Sequence, residues 1–278
     1  MSKSKKHKFF FSIITPVFNG ELFVESYIKS LLNQTFTSWQ TIIIDDNSND
    51  DSLNLLKTGF KGDERVSFFK SRENQKKGGY IGPSEARNIG LNNVEGEYIC
   101  FLDIDDIWLP NKLLIQYKTI KDNPSTLLLF TNYYLSDAKI STLKKKSRFD
   151  LLPFKLQILF WNPFPMLTSC IKSDVLKRSS RFKKIHHEDF IFWNDILKNI
   201  NESNIKKINE YECIYRVHNK SVSFNKIKTL KWNYLCYRKI GHNRIISLLI
   251  LFIRIIVEMI SLINIRIFKS KIKSKQIF

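Results

Sequence analysis

The chain has 278 residues, 45 Lys and Arg against 26 Asp and Glu, 43% apolar and 13% aromatic content, a composition that buries a core and excludes a disordered chain. Only 9 Gly and 7 Pro exclude collagen-like or linker-dominated sequences, and Cys100, Cys170, Cys213 and Cys236 have neither metal-ligand nor disulfide-framework spacing, so reduced cytosolic thiols are expected. The net charge of +19 gathers at the ends: twelve Lys or Arg face one acid, Glu258, from Lys226 to Phe278, and four lysines stand in residues 1–8. A duplex-binding domain places its basic stripe on the folded body, so nucleic acid is disfavoured and an anionic membrane surface is the expected partner of the tail.

The basic amino terminus runs into Phe9–Phe11 and then turns polar too early for a signal peptide, which predicts a cytoplasmic protein. Phe10–Thr15 reads as a strand ending at Pro16, and Glu21–Leu32 as a helix through Leu22, Phe23, Tyr27, Ile28, Leu31 and Leu32. Gln40–Ile44 is the next strand, followed by the polar cluster Asp45–Asp51 and a short helix through Leu53, Leu55 and Leu56. Val66–Phe69, a glycine-containing loop at Gly78, Gly79 and Gly82, a helix over Ser84–Leu91 and the strand Tyr98–Leu102 complete the pattern. Alternating strands and helices predict a mostly parallel, Rossmann-like sheet flanked by helices, with ligands beyond the carboxyl ends of the strands. Asp45-Asp46 and Asp103-Ile104-Asp105-Asp106 fall at such ends. Carboxylates gathered there repel unless a cation joins them, and Asp103-x-Asp105 suits Mg2+ or Mn2+; the alternative is that these acids cap the helix starting near Pro110.

Phosphate-binding glycine loops are missing: no Gly-x-x-x-x-Gly-Lys-Ser/Thr occurs, and Gly78-Gly79-x-x-Gly82 lacks Rossmann spacing. A nucleoside diphosphate then needs a metal and cationic donors, for which Arg87, Arg216 and His218 are candidates. Lys144-Lys145-Lys146 reads as a solvated loop, Trp161-Asn162-Pro163-Phe164-Pro165 as a rigid aromatic loop without assigned purpose, and adjacent His186 and His187 as surface residues. From Ile245 to Phe268 the pattern is an amphipathic helix with Ser247, Arg254, Glu258, Ser261 and Lys269 on one arc. Its charges favour a helix lying in a membrane interface over one spanning it; packing on the protein's own core is the alternative.

Taken together, Ile13-Ile14-Thr15-Pro16-Val17-Phe18-Asn19, Ile44-Asp45-Asp46-Asn47-Ser48, Ala86-Arg87-Asn88-Ile89-Gly90, Phe101-Leu102-Asp103-Ile104-Asp105-Asp106, His187-Glu188-Asp189 and Tyr215-Arg216-Val217-His218 occur in an order that resembles a family 2 glycosyltransferase of the GT-A fold, from about Phe10 to Ser223. The resemblance implies a GT-A domain over residues 1–225 and a basic helical tail over 226–278. It implies that Pro16 and Phe18 line the base pocket, where the family often has Tyr at the position of Phe18, and that Asp46 accepts from a uracil-type imide. Arg87 would approach the base or diphosphate, Asp103 the ribose and Asp105 the metal, with Asp106 a further acid beside them. Asp189 would be the general base, and Arg216 and His218 would close over the diphosphate. The expected reaction is inverting, metal-dependent transfer from a UDP-sugar to a saccharide or lipid-linked acceptor at the inner face of the cytoplasmic membrane. An inactive scaffold of the same fold and a basic nucleic-acid binder are the competing classes; Asp46, Asp103, Asp105 and Asp189 argue against the first, and the nearly neutral body against the second.

Overall fold

A computed structural model describes residues 8–71, 81–146, 152–176, 180–218, 226–267 and 272–273. The glycines at 78 and 79, three of the four amino-terminal lysines, and the tail beyond 273 lie outside the described residues.

β1 (Phe9–Val17), β2 (Trp39–Asp45), β3 (Val66–Lys70) and β4 (Gly96–Phe101) form a parallel set in the order β3-β2-β1-β4. Between them run α1 (Val24–Leu32), α2 (Ser52–Gly59) and α3 (Pro83–Asn92). Every residue of β2 is buried, as a central strand covered on both faces requires. The chain continues through β5 (Ile107–Trp108), α4 (Lys112–Asp122), β6 (Leu128–Asp137), β7 (Thr142–Lys146), α5 (Phe154–Phe160), β8 (Ser169–Lys172), α6 (Glu188–Leu197) and β9 (Ile205–Val217). It ends in α7 (Lys226–Lys239), α8 (Arg244–Ile267) and β10 (Ile272–Lys273).

The second half of the sheet departs from the expected parallel run: β8 is antiparallel to β4, and β6 is antiparallel to β8 and then β7. β9 returns parallel along β6 and pairs antiparallel with β5. The connections explain the change, because β6 to β7 is too short for the crossover helix a parallel pair needs. Lys144–Lys146 therefore belong to strand β7, contrary to the expected loop; Lys144 and Lys145 are exposed on it, and Leu143 beside them is buried.

Two apolar cores cover the sheet. One packs α1, α2 and α4 through Val24, Tyr27, Leu31, Leu56 and Leu113. The other packs α3, α5 and α6, and includes Cys236 and Tyr237 of α7 and Ile250 of α8. α3 lies tight on β1 and β2, since a Cβ on Gly90 would come within 2.5 Å of Ile14.

The expected tail helix is present, and its orientation is the reverse of a water-facing helix. Ser247 is fully buried and Arg254 half-buried, while Ile245, Leu248, Leu249, Phe252, Ile256 and Met259 are exposed at three- and four-residue spacing. The polar arc thus meets the protein and the apolar arc faces outward. The side chains of Glu258, Ser261 and Lys269 lie outside the described residues.

Candidate active site at the strand ends

Helix α3 brings the expected residues together. The segment entering it is held by Asp46, which follows β2: Asp46 Oδ2 accepts the backbone N–H groups of Ile81 (3.1 Å) and Gly82 (2.8 Å). Gly82 has φ 111°, a left-handed conformation that a side chain would strain. Asp46 Oδ1 is buried and has no partner among the described residues, leaving one carboxylate oxygen for an incoming donor. Pro16 and Phe18 flank this position at the end of β1, both half-buried.

One turn along α3, the buried Arg87 guanidinium makes three close contacts. Nη2 donates to Asp103 Oδ1 (2.7 Å) and Oδ2 (3.0 Å), and Nη1 donates to Glu188 Oε1 (2.6 Å). Burial alone would favour neutral Arg87, but Asp103 and Glu188 outweigh it and hold the guanidinium charged. Burial pushes the Glu188 carboxyl up, and Arg87 opposes that rise. Arg87 thereby joins the acidic end of β4 to the first turn of α6. In the sequence, Glu188 carries no signal beyond its place between His187 and Asp189.

Asp103, Asp105 and Asp106 offer carboxylate oxygens within 4.8 Å of one another. Burial and the neighbouring acids raise Asp105 above the ordinary aspartate range and raise Asp106 well above it. Three carboxylates crowded this closely are a donor set suited to a divalent cation. Asp106 is buried and accepts the backbone N–H of Arg216 (3.1 Å).

The carboxyl end of β9 closes the other side. His218 Nε2 lies 2.9 Å from Asp105 Oδ2, and its ring stacks on Phe23 at 5.2 Å. Arg216 Nη2 donates to Ser26 Oγ (2.6 Å), and its guanidinium lies 5.2 Å from the Phe23 ring. Burial lowers the Arg216 guanidinium below its ordinary value, with Asp106 and Asp105 opposing. Phe23 belongs to the apolar helical spacing of Glu21–Leu32, and nothing local marks it as the ring that His218 stacks on.

Asp189 stands in the first turn of α6, after His187 in the left-handed region (φ 58°). Its Oδ1 accepts its neighbour Phe190 N–H (2.8 Å) and its Oδ2 accepts Asn162 Nδ2 (2.7 Å). His186 is exposed, as expected, and stacks on Trp232, whereas His187 is half-buried rather than a surface residue, and neither joins the Asp103, Asp105 and Asp106 cluster.

An acidic triad at the strand ends, with α3 entered beside Asp46 and a carboxylate in the first turn of α6, fits the GT-A class of α/β transferases. Residues 12–180 match the model for glycosyl transferase family 2, and the chain belongs to that family. An uncharacterized glycosyltransferase of Haemophilus influenzae is 34% identical, over 82% of this chain and 87% of its own. The UDP-Glc:alpha-D-GlcNAc-diphosphoundecaprenol beta-1,3-glucosyltransferase WfgD of Escherichia coli is 32% identical, over 81% of this chain and 84% of its own. S. aureus TarS 1-349 in complex with UDP-GlcNAc shares the fold with TM-score 0.62 at 18% identity, over 87% of this chain and 70% of that one.

Proposed function

We propose that the chain is an inverting, metal-dependent hexosyl- or N-acetylhexosaminyltransferase. It moves a sugar from a UDP-sugar to a hydroxyl of a lipid-linked saccharide in cell-envelope polysaccharide synthesis. The observation that carries this reading is the convergence on α3: Asp46 holds the Ile81–Gly82 segment that leads into it, and Arg87 within it bridges Asp103 to Glu188, the neighbour of Asp189. These contacts support a reading in which nucleotide, acidic triad and base candidate share the surroundings of α3.

In this reading the unpartnered Asp46 Oδ1 accepts the N–H of a uracil-type imide, with Pro16 and Phe18 against the ring. Asp103 meets the ribose. Asp105, with Asp106 beside it, holds the divalent ion, Mg2+ or Mn2+, which when bound supplies positive charge against the diphosphate. Arg216 and His218 face the same diphosphate from β9. Asp189 takes the proton of the acceptor hydroxyl as its oxygen bonds the anomeric carbon on the face opposite the leaving group. The electron pair of the breaking glycosyl–phosphate bond leaves with UDP, so one displacement inverts the centre.

The acceptor class draws on WfgD, whose name specifies a diphosphoundecaprenol-linked substrate, and on the outward apolar face of α8. Among the described residues no helix is long and apolar enough to cross a membrane. The tail of residues 226–278 lies instead on an anionic leaflet, at the inner face of the cytoplasmic membrane, with exposed Arg238, Lys239 and Arg244 beside the apolar face and nucleic acid no partner.

The test is ligand binding paired with turnover. Mn2+-dependent protection by UDP against thermal unfolding is lost in Asp105→Ala, and Asp189→Asn keeps that protection while losing sugar transfer by at least about 100-fold, the scale of a removed general base. Transfer by Asp189→Asn at the wild-type rate refutes the mechanism.

A further inference from the structure

Asn162 belongs to a loop that the sequence left without a purpose, and its side chain reaches the base candidate. Its Oδ1 accepts Phe164 N–H at 2.9 Å, so that end of the amide must be the oxygen and the amino group must face Asp189. Asn162 Nδ2 then donates to Asp189 Oδ2 at 2.7 Å.

The loop is built to keep that donor still. Upstream, Trp161 is tied to the last turn of α5 by its backbone N–H to Gln157 O (2.9 Å) and its indole N–H to Gln157 Oε1 (3.2 Å). Downstream, Phe164 is fully buried against Phe130 (5.1 Å) and Trp193 (5.7 Å). Thr168 and Ser169 hydroxyls both donate to Pro165 O, at 2.8 and 2.9 Å. Pro163 and Pro165 fix two backbone angles on either side of Phe164. Trp193 lies one turn beyond Asp189 on α6, so the loop and the base share a packed wall.

We infer that Asn162 is a positioning residue that locks the Asp189 carboxylate in its reactive orientation. The inference rests on Asp189 being the base. With Oδ1 held by Phe190 N–H and Oδ2 by Asn162, the carboxylate cannot turn about its last bond, and its remaining lone pairs keep one direction towards an acceptor hydroxyl. Without Asn162, the Phe190 N–H is the one hydrogen bond left to this carboxylate among the described residues, and Oδ2 loses its fixed position. A misplacement of about 1 Å in such a group costs on the order of 100-fold in rate.

Two substitutions separate this role from anchoring of the loop. Asn162→Ala removes both bonds. Asn162→Asp keeps an acceptor for Phe164 N–H, and so keeps the turn, but replaces the donor with a second carboxylate against Asp189. With UDP-glucose as donor and GlcNAc-diphosphoundecaprenol as acceptor, and with UDP release to water as the acceptor-free reaction, kcat falls about 10- to 100-fold in both variants. The Asp variant is at least as impaired as the Ala variant, donor KM stays within about twofold, and UDP still protects against unfolding. Anchoring alone predicts the reverse order, with Asn162→Asp near wild type; that result overturns the inference, as does a raised donor KM at unchanged kcat. Asp189→Asn is measured alongside. If it turns over like wild type, the base assignment itself fails and the inference falls with it; if it is inactive while both Asn162 variants keep their kcat, the inference alone fails.

Discussion

Replacing Arg87 by Met tests whether α3 is the hub of the site. The guanidinium is 5% exposed, Glu188 16% and Asp103 32%, so the substitution strands one nearly buried carboxylate and one that water reaches. Removing one member of a buried pair costs roughly 3–5 kcal/mol, and the partial exposure of Asp103 puts the loss near the lower end, about 3 kcal/mol. At about 2–4 °C per kcal/mol for a chain of this order, the thermal midpoint falls by about 6–12 °C. The loss is pH-dependent with a defined sign. Burial already raises the Glu188 carboxyl, and Arg87 opposes it, so without Arg87 the value rises further. The folded variant then holds a proton that the unfolded chain releases near the ordinary glutamate value, and its deficit grows as pH rises above that value. Adding Glu188→Gln to Arg87→Met removes the stranded charge and recovers more than half of the loss. Scanning calorimetry of the single and double variants between pH 4.5 and 8 measures all three quantities. A fall below about 1 kcal/mol, or a double variant no better than the single, refutes the claim that this guanidinium holds two elements together.

Two further outcomes are expected. Burial and the neighbouring Glu210 push the Glu212 carboxyl up to about 7, so between the ordinary glutamate value and about 7 the folded chain keeps a proton the unfolded chain has lost and stability declines as pH rises; Glu212→Gln flattens that decline in thermal melts, and an unchanged slope counts against it. Leu248, Leu249 and Phe252 are 57%, 57% and 60% exposed, and burying each such side chain in lipid is favourable by about 1.5–3 kcal/mol, so replacing all three with Ser lowers sedimentation with phosphatidylglycerol vesicles at least about 100-fold while leaving UDP protection intact; undiminished vesicle binding refutes the interface reading of α8.

The alternation of apolar runs with polar clusters, and the acids at their ends, already located β1, β2, β4, α3 and the Asp103–Asp106 segment, because these depend on periodicity and on residues adjacent in the chain. Contacts that make those residues a site span longer distances: Arg87 meets Glu188 across 101 positions, and Asn162 meets Asp189 across 27. No local pattern encodes such a meeting, since the donor and acceptor types are common and only the packing of α3, α6 and the Trp161–Pro165 loop selects the partners. The tail shows the same division. Spacing alone identified two faces on α8, but a helical period is blind to which face has a partner. Tertiary packing decided that, burying Ser247 and Ile250 against the body and leaving Leu248, Leu249 and Phe252 outward, because α8 packs on α5 and α7 through the face that carries Ser247 and Ile250.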